Sequence, residues 1–168
     1  AFWRGIGLWR QKQSDWGRIA EFTRIHPFLN PVALRGFLDQ IRFDRLTVLV
    51  DLCEPTRQRR KRYNKGTRYS LRKAEQRLEV RQINRDEAAI FRRLYEAGLS
   101  RNVAENSYYF DDSYFNDLLS AEWSTSWAAC LDGEPIAVAC FLQGGPFAHY
   151  HLSGGGAAAR ENFAHYIL

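Results

Sequence analysis

His149 and His151 occupy alternate positions in the run Phe147–Leu152, and that run leads into Ser153-Gly154-Gly155-Gly156 and then into an alanine-rich stretch. If the run is a strand, both imidazoles leave the same face, about 7 Å apart along the backbone. Three readings stand for the pair: proton acceptors, since neutral imidazole titrates near working pH; metal ligands; or hydrogen-bonded histidines lining a sheet face. No third ligand of suitable spacing can be named, so no metal is expected. Tyr150 points to the opposite face and reads as core. The glycines suit an anion. Where a strand passes through glycines into a helix, the first helical N–H groups lack partners and the helix dipole is positive, so backbone alone can hold a phosphate. Ser153, Gly154, Gly155 and Gly156 are therefore candidate binding residues for a phosphorylated carrier, the alternative being a loose connection.

A second candidate is electrostatic. From Arg57 through Lys73 the chain carries Arg57, Arg59, Arg60, Lys61, Arg62, Lys65, Arg68, Arg72 and Lys73 with no intervening acid. Arg68 and Arg72 are four residues apart and share one face of a helix, and a planar guanidinium fork matches phosphate oxygens. They are candidate contacts for a phosphorylated substrate, against the plainer reading of a solvated helix. The net charge of +5 favours anionic partners without choosing among nucleic acid, nucleotide cofactor and lipid head group. Arg101, Tyr108, Tyr109 and Asp111 fall together between two helical patterns, and Glu134 falls in a hairpin turn, where it reads as solvated.

The elements that must position these residues follow from periodicity. Phe2–Arg10 and the alternating Gly17–Pro27 read as extended, and Thr47–Leu52 as a buried strand. A helix is expected after Glu54-Pro55-Thr56, running to about Arg77 with a break at Gly66. Leu78–Ile83 reads as a strand, Asp86–Gly98 as a helix capped by Asp86 or Asn84, and Ser113–Ala121 as a helix carrying Tyr114, Phe115, Leu118 and Leu119. Three strands follow: Thr125–Leu131, Ile136–Gln143 and Phe147–Leu152, joined by turns at Asp132-Gly133-Glu134-Pro135 and Gly144-Gly145-Pro146. This order predicts an α+β domain with a mixed, mostly antiparallel sheet flanked by helices.

At 168 residues and 45% hydrophobic, the chain can bury one substantial core, so a single domain over 1–168 is expected, with 1–45 as an N-terminal extension of it. No apolar run reaches membrane-spanning length, and no signal-peptide pattern opens the chain. Three cysteines without metal spacing read as buried thiols in a reducing, cytoplasmic compartment. Methionine is absent altogether, which is improbable at this length and suggests that methionines have been lost from the sequence. The chain ends at His165-Tyr166-Ile167-Leu168 inside an apolar-periodic pattern, so a further C-terminal portion is expected.

Several stretches carry a resemblance. KGTRYSLRKAEQRLEV (Lys65–Val80), LYEAGLSRN, YYFDDSYFNDLL, LDGEPIAVACFL and AHYHLSGG resemble, in that order, the FemAB/FemX-like branch of the GNAT acyltransferases, and EFTRIHPF (Glu21–Phe28) resembles a segment upstream in those proteins. The resemblance covers roughly residues 40–168. It implies a GNAT fold in which an amine attacks an activated acyl group, carried as acyl-CoA or as aminoacyl-tRNA, without a covalent enzyme intermediate. It further implies a role in cell-wall or cell-surface polysaccharide synthesis, with tRNA and a membrane-surface, lipid-linked precursor as partners at the inner face of the membrane. By position the donor would lie beside Phe147–Leu152 with its phosphates at Ser153–Gly156, and Arg101, Tyr108 and Tyr109 would form the acceptor side. Ser-Gly-Gly-Gly replaces the acyl-CoA consensus Arg/Gln-x-x-Gly-x-Gly/Ala, which leaves both donors open. The reading from another class is a nucleic-acid-binding or adaptor module built on a degenerate acyltransferase core.

Overall fold

The computed structural model describes residues 7–8, 11–12, 15–16, 38–43 and 46–168. The alternating segment Gly17–Pro27 and the Glu21–Phe28 stretch lie outside the described residues. So does most of Phe2–Arg10, whose two described residues, Gly7 and Leu8, are helical rather than extended. The chain divides into two compact units, Ala1–Asp51 and Leu52–Leu168. Within the first, Lys12 Nζ sits 5.1 Å from the centre of the Trp16 ring. The apolar run expected as a buried strand is neither strand nor buried, with Val48 93% and Leu49 67% exposed. Its composition matches a strand, but a strand exists only where a neighbour completes its hydrogen bonds.

The second unit begins with two short helices, α1 (Thr56–Lys61) and α2 (Lys65–Glu75). The break falls before Gly66 rather than at it, because the Asn64 side chain accepts from Thr67 N–H at 2.8 Å and starts a new helix there. Strand β1 (Glu79–Ile83) follows, then a 3-10 turn Arg85–Glu87, whose Asp86 N–H donates to the Asn84 side chain, and helix α3 (Ala88–Arg101). A second 3-10 turn, Asn106–Tyr108, leads to helix α4 (Asp112–Ser120), capped by Asp111, which accepts from Tyr114 N–H at 2.9 Å. Strands β2 (Ser124–Leu131), β3 (Glu134–Gly144) and β4 (Phe147–Gly155) form a meander, followed by helix α5 (Ala157–Glu161) and a 3-10 turn Ala164–Tyr166.

The four strands form one antiparallel sheet in the order β1-β2-β3-β4, flanked by helices, which makes the architecture α+β. Two-residue turns set its register. Asp132 and Gly133, with φ of 51° and 85°, join the Leu131–Glu134 pair, and Gly145, with φ of 56°, opens the turn between Gly144 and Phe147.

Alternation along the strands splits the core into two layers. Ala128, Cys130, Val138 and Cys140 pack under α3 and α4 with Phe91, Leu94, Tyr95, Phe115 and Leu118. Ala129 and Ala137, one residue out of phase, pack on the other side with Ala74 of α2, Leu78 just beyond its end, Ala159 of α5 and Ala164. Cys130 and Cys140 are buried, whereas Cys53 is exposed, contrary to the expectation of three buried thiols.

Candidate functional site

Strand β4 pairs with β3 alone, so its outer edge carries backbone donors and acceptors that no strand among the described residues takes up. The register along it is broken once. Cys140 faces Leu152 and Phe141 faces Tyr150, which leaves His151 as the extra residue of a β-bulge. A bulge re-aims a side chain, and here Leu152 packs against the core under α4 while the neighbouring His151 reaches Tyr114 on α4. The distance from Tyr114 Oη to His151 Nε2 is 2.8 Å. Burial, and then the adjacent His149, push the His151 pKa below its ordinary value, so the ring is neutral at physiological pH.

His149 lies on the same face with its ring centre 6.2 Å from that of His151, as strand alternation predicts, and is exposed. Tyr150, expected in the core, is instead half exposed and packs its ring at 5.3 Å against Phe141. Tyr114 is held firmly. Its ring stacks on Phe110 at 4.2 Å and meets Phe115 edge-on at 5.4 Å. Its helix is tied to α3 through Arg92, which donates at 2.7 Å both to Glu96 and to Asp112. Burial, and then the Cys140 thiol, raise the Tyr114 pKa, so the phenol keeps its proton.

Ser153, Gly154 and Gly155 do not form a turn. They continue β4, opposite Ala139, Val138 and Ala137. The first two glycines answer to packing. A Cβ at Gly154 would stand 2.3 Å from Tyr95 Cα, because the α3 backbone crosses the strand there, and one at Gly155 would stand 2.7 Å from Ala159 Cβ. Only Gly156 lies outside the strand; it precedes α5, and no side chain caps that helix.

A guanidinium and an imidazole meet this end of β4. Arg101, at the close of α3, donates from Nη1 to the Gly155 carbonyl at 3.1 Å. His165 Nε2 approaches the position a Gly155 Cβ would take, within 3.1 Å, and partial desolvation followed by the Arg101 charge lowers its pKa. Arg101 thus belongs with the glycines rather than with Tyr108 and Tyr109. Those tyrosines are partly exposed; the Tyr108 carbonyl accepts from Tyr95 Oη at 3.0 Å, and Tyr109 Oη lies 3.4 Å from Ser100 Oγ.

Arg68 and Arg72 share the exposed face of α2, and no partner among the described residues engages either guanidinium. The sheet separates them from the Tyr114–His151 pair, since α2 packs with Ala164 and Phe163 in the second core layer. The basic run is also less isolated than its sequence suggests. Arg60 pairs with Glu75 at 2.7 Å, and Arg62 pairs with Glu54. Among the described residues no group of three or more His, Cys, Asp or Glu is placed to hold a metal ion, and no helix is long and apolar enough to cross a membrane.

Sequence reasoning placed Tyr114 among the residues of a helix face and gave His165 no role. The signal for His165 was absent. For Tyr114 there was a weak one, a hydroxyl on an otherwise apolar helix face, since buried phenols take a hydrogen-bond partner.

No family model and no curated protein matches the sequence. Among solved structures, a ribosomal-protein-alanine N-acetyltransferase from Brucella melitensis biovar Abortus 2308 is similar over 49% of this chain and 59% of its own, with 16% identity and a TM-score of 0.39. The aminoglycoside acetyltransferase HMB0005, from an uncultured soil metagenomic sample, is similar over 54% of this chain and 66% of its own, with 18% identity and a TM-score of 0.42. A second from such a sample, meta-AAC0020 in complex with sisomicin, is similar over 51% and 60%, with 12% identity and a TM-score of 0.41. The chain therefore spans less than two thirds of the length of each of these proteins.

Proposed function

We propose that this protein is an N-acyltransferase of the GNAT type, of the FemAB/FemX-like branch, moving an acyl or aminoacyl group from acyl-CoA or aminoacyl-tRNA to an amine. The observation that carries the reading is His151, set by a bulge on β4, whose outer edge no strand among the described residues pairs, and hydrogen-bonded to Tyr114. Transfer to an amine needs three things: a place to lay the activated carbonyl, a proton acceptor for the attacking nitrogen, and an anchor for an anionic carrier. The open edge offers backbone donors that can hold a carbonyl or a developing oxyanion in register. His151 is the proton acceptor, with His149 beside it. Arg101, whose other N–H groups have no partner among the described residues, and the uncapped start of α5 at Gly156 support a phosphate anchor. Gly154 and Gly155 serve that anchor by letting the helices close on the strand, and Ser153 leads into them along β4.

Arg68 and Arg72 would engage more distant phosphates of the carrier or of the acceptor, and Tyr108 and Tyr109 would line the acceptor side. The acceptor we favour is an amine of a cell-wall or cell-surface polysaccharide precursor, lipid-linked and met by a cytoplasmic enzyme at the inner face of the membrane. The test is direct. Full-length protein is incubated with acetyl-CoA or aminoacyl-tRNA and a panel of primary amines, namely amino sugars, peptidoglycan precursor and peptide N-termini, and products are weighed by mass spectrometry. A donor-dependent acyl mass on one amine class supports the reading; no acylated amine with either donor refutes it.

One observation favours a different class. The unpartnered Arg68 and Arg72 lie across the sheet from His151, as a nucleic-acid-binding or adaptor surface on a degenerate core would have them. That reading predicts nucleic-acid binding that weakens steeply with salt in a protein that transfers nothing.

A further inference from the structure

We infer that Tyr114 is a catalytic residue whose hydroxyl stands between the attacking amine and His151, receiving the amine proton while passing its own to Nε2. The inference rests on the N-acyltransferase reading and deepens it. A neutral imidazole has one lone pair in its ring plane, and one hydroxyl proton is available to fill it. Tyr114 Oη lies 2.8 Å from His151 Nε2, its one hydrogen-bond partner among the described residues. We assign the hydroxyl as the donor, which puts the His151 proton on Nδ1 and closes Nε2 to a substrate. What remains open is the oxygen, whose own lone pairs can take a proton from outside.

The surroundings hold this arrangement in place. Phe110 and Phe115 fix the phenol ring, Asp111 fixes the backbone N–H of Tyr114, and the β4 bulge fixes the imidazole. Among the described residues, the ionisable groups acting on the pair are His149 on β4, Cys140 on β3 and Tyr95 on α3. No carboxylate is among them to hold an imidazolium in the resting state.

The step balances as follows. The amine lone pair attacks the acyl carbon, forming the C–N bond and moving the carbonyl π pair onto oxygen. The proton on nitrogen goes to Tyr114 Oη as the phenol proton goes to Nε2, giving a transient imidazolium. The oxygen pair then re-forms the carbonyl and expels the carrier's sulfur or oxygen, which takes the proton back from Nε2 through Oη. The products are an amide and the protonated carrier, and both side chains return to their starting state.

The experiment measures transfer and tautomer together. In Tyr114→Phe, which keeps the ring and its stacking, kcat should fall about 100-fold while KM for the donor is unchanged. The His151 contribution to the acidic limb of its pH–rate profile should vanish, leaving only the limb set by protonation of the substrate amine, because His151 no longer receives the proton. Combining it with His151→Gln should cost no more than either change alone. Nitrogen-15 NMR of the wild-type protein should show His151 protonated at Nδ1. A Tyr114→Phe variant with wild-type kcat and an intact acidic limb, or a His151 protonated at Nε2, overturns the relay while leaving the transferase reading standing. A wild-type protein that acylates no amine overturns both.

Discussion

At the scale of the residue, the proposed chemistry depends on keeping one imidazole neutral. Burial and the neighbouring His149 both lower the His151 pKa, so activity should persist to a pH below the ordinary histidine range before protonation stops it. His149→Ala removes the second cause, and the acidic limb of the pH–rate profile should move upward toward that range. An unmoved limb would show that His149 has no electrostatic role. The glycines make a contrasting case. Gly154→Ala should lower stability by about 3 kcal/mol, because its Cβ would meet the backbone of Tyr95 at 2.3 Å, and calorimetry should record that loss with no donor present. A stable Gly154→Ala protein would contradict the packing role. The alternation of His149 and His151 was legible in the sequence because a strand has a fixed period. The Tyr114–His151 bond was not, since it joins residues 37 apart and depends on a bulge that leaves no mark in periodicity.

At the scale of the element, one cap could be read in advance and one could not. Asn84, one of the two caps the sequence offered, accepts from Asp86 N–H at the 3-10 turn that leads into α3, whereas Asp111, which the sequence grouped with Arg101 and the tyrosines, caps α4. The hydrogen bond from Tyr114 N–H lowers the Asp111 pKa, so its stabilisation is present above the unfolded carboxylate range and is lost as pH falls through the lowered folded value. Asp111→Ala should therefore melt below the wild type at pH 7, and the gap should close in acid; a gap that persists in acid would contradict this. The extent of β4 was misread for a physical reason. Small residues suggest a turn by composition, but here they are small because α3 and α5 pack against the strand. On α2, Arg68→Ala with Arg72→Ala should leave stability within about 0.5 kcal/mol of wild type, as both guanidinium groups are exposed. The same change should weaken binding of a phosphorylated carrier and flatten its salt dependence. Unaltered binding would remove the helix from the site.

At the scale of the whole molecule, the meander between flanking helices followed from the order of periodic segments, and the α+β architecture was legible from it. The relation of the basic run to the histidines was not. A shared suitability for an anionic carrier put them in one reading, whereas the sheet places them on opposite faces, and it is Arg101 that meets the end of β4. The central claim is that the edge of β4 from His151 to Gly155, with Gly156 beyond it, receives an activated acyl carrier. Thermal melting of the full-length protein with and without each candidate donor tests it most directly, since a ligand that binds only the folded state raises stability by about 2.7 kcal/mol at a hundredfold excess over its Kd. The account predicts that acyl-CoA or aminoacyl-tRNA raises the melting temperature, and that Arg101→Ala diminishes the rise. A melting temperature indifferent to both donors would contradict it.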